Sequence, residues 1–172
     1  MHTKPEPPYW TSEESWQAVN QSLFKLVNDP ALKGMENLKA SAMAMAEEMN
    51  KLDKLMEKLC QRTCPDCLGV CCLAKNIYYD FSDLLYIQLS QDKAPRRQTR
   101  KGLDEPCCYL TPRGCSIPRN RRPFICSWFI CSDQEEIISR MLWGKERGLI
   151  KSLDKLLVMH RDLEKDFISL AC

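Results

Sequence analysis

Histidine is almost missing from this chain of 172 residues, which has only His2 and His160. That scarcity excludes a metal site rich in imidazole. Long apolar runs are missing too: no stretch approaches the roughly 18 apolar residues of a membrane span. Residues 1–8 hold no apolar run that could serve as the core of a secretory signal. A soluble, cytoplasmic chain is the expectation. Glycine is sparse, at six residues, and none of them forms a Gly-rich loop that would support a methyl donor. No internal repeat, low-complexity tract or clear interdomain linker is visible.

What the chain has instead is cysteine, eleven in all. Eight fall in two knots, Cys64, Cys67, Cys71 and Cys72 in the first and Cys107, Cys108, Cys115 and Cys126 in the second, with Cys131 close behind. Four thiols within nine residues, C-P-D-C-L-G-V-C-C, converge only if disulfides or a metal hold them. A chain this long can bury roughly two-thirds of its unfolded surface, so it has no need of disulfides to fold. The cytosol keeps ordinary disulfides open, an odd count cannot pair off fully, and the vicinal pairs Cys71-Cys72 and Cys107-Cys108 suit disulfides poorly. Metal is the preferred reading.

Thiolate is a soft ligand that suits zinc, iron-sulfur clusters and copper(I), and with so little histidine the site should be all sulfur. One structural zinc takes four ligands, about half of what is present, and adjacent side chains seldom share one ion. Two metal centres or one polynuclear cluster fit better. A 4Fe-4S cluster takes four thiolates and leaves spare cysteines nearby, while two zincs could absorb the full set. Cys60 and Cys172 are read as free thiols outside the site.

Hydropathy patterning predicts a mainly α fold. Thr11-Ser12-Glu13-Glu14 has capping-box spacing and opens a helix through Trp16, Val19, Leu23, Leu26 and Val27 to about Asn28. Asp29-Pro30 then predicts the start of a long second helix carrying Leu32, Met35, Leu38, Met45, Met49, Leu52, Met56 and Leu59. Its methionines read as core packing rather than a soft-metal or peptide groove. Phe81 to Leu89 reads as a short capped helix. Ser132-Asp133-Gln134-Glu135 forms another capping box, Gly144 and Gly148 mark a break, and a final amphipathic helix follows. The expected organisation is a single domain, 1–172. Within it, residues 1–59 form an N-terminal helical segment, 60–131 a loop-rich cysteine core, and 132–172 the C-terminal helices.

Residues 60–131 hold eleven Lys or Arg against six Asp or Glu, so the positive excess lies where the cysteines are. Arg119, Arg121 and Arg122 read as cations that offset thiolate charge. Arg96, Arg97, Arg100 and Lys101 have spacing suited to phosphate contacts, but no aromatic residues interleave them, so nucleic acid is disfavoured as a partner. Pro65, Pro106, Pro118 and Pro123 read as loop stiffeners, and Gly69 and Gly114 as tight turns. Trp128 and Phe129 could shield a cluster but read first as core. His160, alone among leucines, reads as a packed or surface residue.

The chain resembles the YkgJ-type cysteine-cluster family, described as a zinc- or iron-chelating domain with a CxxCxxCC signature. The resemblance rests on C-P-D-C-L-G-V-C-C at 64–72, P-C-C-Y-L at 106–110, G-C-S-I at 114–117 and R-P-F-I-C at 122–126. These blocks span a little over a third of the chain. By position Cys64, Cys67, Cys71, Cys72, Cys107, Cys115 and Cys126 correspond to the family's cysteines, and Cys108 and Cys131 are auxiliaries that the pattern does not require. The first block departs by one residue, with three rather than two before the double cysteine. The resemblance implies a cytoplasmic bacterial protein that chelates zinc or an iron-sulfur cluster. One branch of the wider family resembles flagellin lysine methylases, but no catalytic residue carries over. Three functions remain open: a metal-binding protein with an electron-transfer or accessory role, a metal-dependent redox or methyl-transfer enzyme acting on a protein partner, and a metal-stapled module whose long helix binds a partner.

Overall fold

The computed structural model describes residues 8–65, 71–73, 77–90, 93–102, 105–112, 114–141 and 145–171, and is mainly helical. Cys67, Gly69, Gly144 and Cys172 lie outside the described residues, as does the side chain of Cys71. The helices are α1 (Glu13–Val27), α2 (Met35–Thr63), α3 (Phe81–Leu89), α4 (Phe124–Trp128), α5 (Ser132–Ser139) and α6 (Lys145–Ala171). Strands β1 (Leu110–Thr111) and β2 (Gly114–Cys115) pair antiparallel, with Leu110 opposite Cys115 and Thr111 opposite Gly114. Single 3-10 turns occupy Cys71–Leu73 and Arg119–Arg121.

Helix α3 is the centre. Ser82 to Ile87 and Leu89 are all buried, so it is enclosed on every side, as a helix apolar over most of its circumference must be. Helices α1, α2 and α6 surround it. Leu84, Leu85, Ile87 and Leu89 are at 0 % exposure, and each contributes roughly 1.5–3 kcal/mol relative to an exposed side chain. The N-cap of α3 is Asp80, whose carboxylate accepts the Asp83 N–H while Asp83 accepts the Asp80 N–H, a reciprocal capping box.

The two long helices pack on each other. The stripe of α2 that they share with α3 contains Met35, Met45, Met49 and Met56, all buried, whereas Met43 points away at 54 % exposure. Met35, Met45, Met49 and Met56 are core, as their helical spacing predicted, and Met43, expected there with them, is not. A pair between Lys155 Nζ of α6 and Glu48 Oε1 of α2, 2.8 Å apart, lies along this contact.

Helix boundaries differ from the sequence expectation in four places. The cap of α1 is Ser12 rather than Thr11, and its hydroxyl accepts the Ser15 N–H at 3.1 Å. Helix α2 does not begin at Asp29-Pro30, because the Asp29 carboxylate accepts the Ala31 N–H at 2.8 Å and closes a turn instead. Gly34 then takes a φ of 97°, and a Cβ there would lie 2.8 Å from Leu170 Cδ1, so the chain turns close against α6 before α2 starts. Helix α5 is preceded by Cys131 rather than capped by Ser132, with Gln134 Oε1 accepting the Cys131 N–H at 3.4 Å. Gly148 lies inside α6, where packing of Leu149, Leu153 and Leu156 outweighs its low helix propensity.

The α2 register is testable by truncating its two methionine faces. Met45→Ala should lower unfolding free energy by about 2–5 kcal/mol, and Met43→Ala should change it by less than about 0.5 kcal/mol, measured by denaturant titration.

Candidate metal centre

The two cysteine knots meet at one backbone atom. The Cys72 carbonyl accepts the Cys107 N–H at 2.9 Å and the Arg100 Nη2 at 3.0 Å. The hairpin β1–β2 turns at Gly114, with a φ of 99°, and returns Cys115 to the same region. Short helix α4 brings Cys126, mostly buried, up to the other three. Cys72, Cys107 and Cys115 thus lie within electrostatic reach of Cys126, and Cys107 and Cys115 of each other.

Burial pushes the Cys126 thiol well above its usual range, and the Cys72 sulfur, the Asp83 carboxylate and the Cys115 and Cys107 sulfurs raise it further. Cys107 and Cys108 are raised as well, first by burial, with Arg100 opposing the shift at Cys107 and Arg97 opposing it at Cys108. The Cys108 thiol donates to the Gln98 carbonyl at 3.3 Å. The sulfurs are gathered rather than closed. Among the described residues no three cysteine sulfurs lie within 4.8 Å of one another, whereas sulfurs sharing one zinc would be about 3.8 Å apart.

Two further cysteines sit at helix ends. Cys64, exposed, ends α2, and Cys131, half-buried, precedes α5. Buried Gln134 links these two ends: its amide nitrogen donates to Thr63 Oγ1 at 3.3 Å and Cys60 Sγ at 3.6 Å, while its oxygen holds the Cys131 N–H. Cys60, set aside on sequence grounds, is therefore wired into the centre's surroundings. Its sulfur also receives Arg119 Nη2 at 3.5 Å.

Two guanidiniums lie inside the protein here. Arg119, with a side chain 4 % exposed, pairs Nε to Asp53 Oδ1 at 3.0 Å, lies 3.8 Å from Glu57 Oε2, and donates Nη1 to the Cys126 carbonyl at 3.4 Å. It joins α2 to α4, and Ser127 Oγ returns a bond to the Arg119 carbonyl at 3.0 Å. Arg122 Nε caps the Ile117 carbonyl at 2.9 Å, and the Arg121 carbonyl accepts the Tyr79 hydroxyl at 2.6 Å. The second buried cation is Arg100, at 2 % exposure. Among the described residues its Nε and Nη1 are buried without a hydrogen-bond partner. It cannot touch nucleic-acid phosphates, which removes it from the basic run that also includes Arg96, Arg97 and Lys101. Gln98 and Thr99 hold it inside: the Gln98 amide exchanges bonds with the Tyr79 N–H and carbonyl, and Thr99 Oγ1 donates to the Ile77 carbonyl.

A residue group that no local sequence pattern connects lies behind α4. Asp83 Oδ1 accepts the Phe124 N–H at 2.7 Å, so one carboxylate serves the first turns of both α3 and α4. The His160 ring stacks on Phe124, with centroids 4.1 Å apart, and its Nε2 lies 3.7 Å from Asp83 Oδ1. Ligand atoms of Asp80, Asp83 and His160 lie within 4.8 Å of one another. Two helix N-termini pointing at Asp83 favour its negative charge and oppose a cation, so this group acts as a bracket for α4 and Cys126. Trp128 is half-buried against Phe124, while Phe129 is 44 % exposed and shields nothing.

No family model, no curated protein and no solved structure matches this chain. No described helix is long and apolar enough to cross a membrane.

The raised thiols set a pH dependence for the metal-free fold. A thiol whose folded value exceeds its unfolded value of roughly 8.5 holds its proton more tightly when folded, so stability falls as pH rises above that value. Denaturant midpoints of the metal-free chain should fall steadily from about pH 8.5 upward. Cys126→Ser should flatten that slope.

Proposed function

We propose that this chain is a metal-holding cysteine-cluster protein of the YkgJ type, whose all-sulfur site takes zinc or an iron-sulfur cluster and serves a redox or accessory role. The observation that carries this reading is Arg100. A buried guanidinium with unpartnered nitrogens costs several kcal/mol unless an anion lies beside it. Cys72 and Cys107 are its neighbours, and as neutral thiols they supply no charge.

As thiolates on a metal they do. Four thiolates on one Zn2+ leave a net charge of about −2, and a cluster held by four thiolates is likewise anionic. Arg100, beside Cys72 and Cys107, would offset that charge, while the Cys72 carbonyl keeps the two knots in register. A bound metal supplies the cross-link, and in the cluster case also an electron-accepting centre. The raised thiols fit the same reading, since ligation replaces protons that the metal-free site holds tightly, so affinity should fall as pH falls.

Anaerobic purification followed by metal and acid-labile sulfide analysis tests the reading. Bound zinc, or iron with sulfide, is the expected result, and a colourless chain with neither contradicts it. Arg100→Leu adds a sign test. In the metal-free chain it should leave stability unchanged or raise it, because an uncompensated charge is removed. In the loaded chain it should weaken metal retention by about 10–100-fold, measured by chelator competition.

A further inference from the structure

We infer that metal enters and leaves at Cys115 through a cleft between α2 and residues 115–122. This rests on the metal-holding reading above. The cleft encloses 310 Å3 and is walled by Asn50, Asp53 and Glu57 of α2 on one side and by Ser116, Pro118 and Arg119 on the other, with Cys115 on its lining. Of the four gathered cysteines only Cys115 lines it. Cys126, carried by α4 next to the Asp83, Phe124 and His160 group, does not line this cleft.

The size suits an ion with part of its water shell and a small exchanging ligand, being near the lower end of ligand pockets. Charge does not obstruct passage. The carboxylates of Asp53 and Glu57 face the guanidiniums of Arg119 and Arg122 within the same lining, two charges of each sign, so a cation meets no net repulsion. The ligand that lines the cleft is also the one that a competing ligand entering there meets first. Cys115 is therefore the labile position, and Cys72, Cys107 and Cys126 retain the metal while Cys115 exchanges.

Asn50 is exposed on α2 and lines the cleft, so its side chain can be enlarged at little cost to the core. The chain is reconstituted with Zn2+ under reductant, and zinc release to a chromophoric chelator is timed. Asn50→Trp should slow release by about ten-fold or more while leaving the bound zinc per chain unchanged, and Asn50→Ala should not slow it. Equal release rates in all three chains would overturn the inference. A second measurement uses the unaltered, metal-free chain with iodoacetamide and follows each cysteine by peptide mass. Cys115 should be alkylated well before Cys126, and simultaneous or reversed labelling would overturn the inference. If the chain retains no zinc, the metal-holding reading fails, and the alkylation order still decides whether the cleft gives access to Cys115.

Discussion

One carbonyl oxygen, that of Cys72, receives the Cys107 N–H and the Arg100 guanidinium together, and the rest of the cysteine region is arranged about that junction. The first knot follows the last turn of α2, and the second lies beyond α3 and a long loop. Without this junction the two knots would be separate loops. With it, a hairpin and a five-residue helix suffice to bring Cys115 and Cys126 alongside. Regular structure is scarce here because the segment is too polar and proline-rich to bury itself, and its organisation depends on what the sulfurs do.

The helical shell serves the same end from outside. Helix α3 is enclosed by α1, α2 and α6, and its capping carboxylate Asp83 extends to the first N–H of α4. The apolar core thereby fixes the position of the most deeply buried thiol. Arg119 does the corresponding work from α2, holding Asp53, the Cys60 sulfur and the Cys126 carbonyl at once. A buried cation with charged partners on one helix and a backbone acceptor on another pins their separation, which water-exposed pairs do not.

Much of the shell was legible in the sequence. Periodicity of 3.6 found α1, α2, α3 and α6, and the methionine stripe declared its buried face, because burial of one stripe is what makes a helix pack. Helix starts were less legible: adjacent candidates such as Thr11 and Ser12, or Cys131 and Ser132, compete for one cap, and only the path of the preceding chain decides. The left-handed Gly34 displaced the start of α2 for the same reason. Within the cysteine region, spacing drew attention to Arg119, Arg121 and Arg122 together but not to Asp53 and Glu57, the carboxylates with which Arg119 pairs, because they lie on α2, far off in sequence. Arg100 was misread, since a polar run Gln98-Thr99-Arg100 looks like a solvated loop until Tyr79 and Ile77 are seen to satisfy it. Asp83 and His160 lie far apart in sequence and share a partner in Phe124, so no local pattern joins them.

The proposed function requires an anionic, all-sulfur metal centre among Cys72, Cys107, Cys115 and Cys126, beside Arg100. X-ray absorption at the edge of the metal bound by the anaerobically purified chain tests it most directly. The account predicts a first shell of sulfur alone, from cysteine or from cysteine and sulfide. Nitrogen or oxygen ligands in that shell would contradict it.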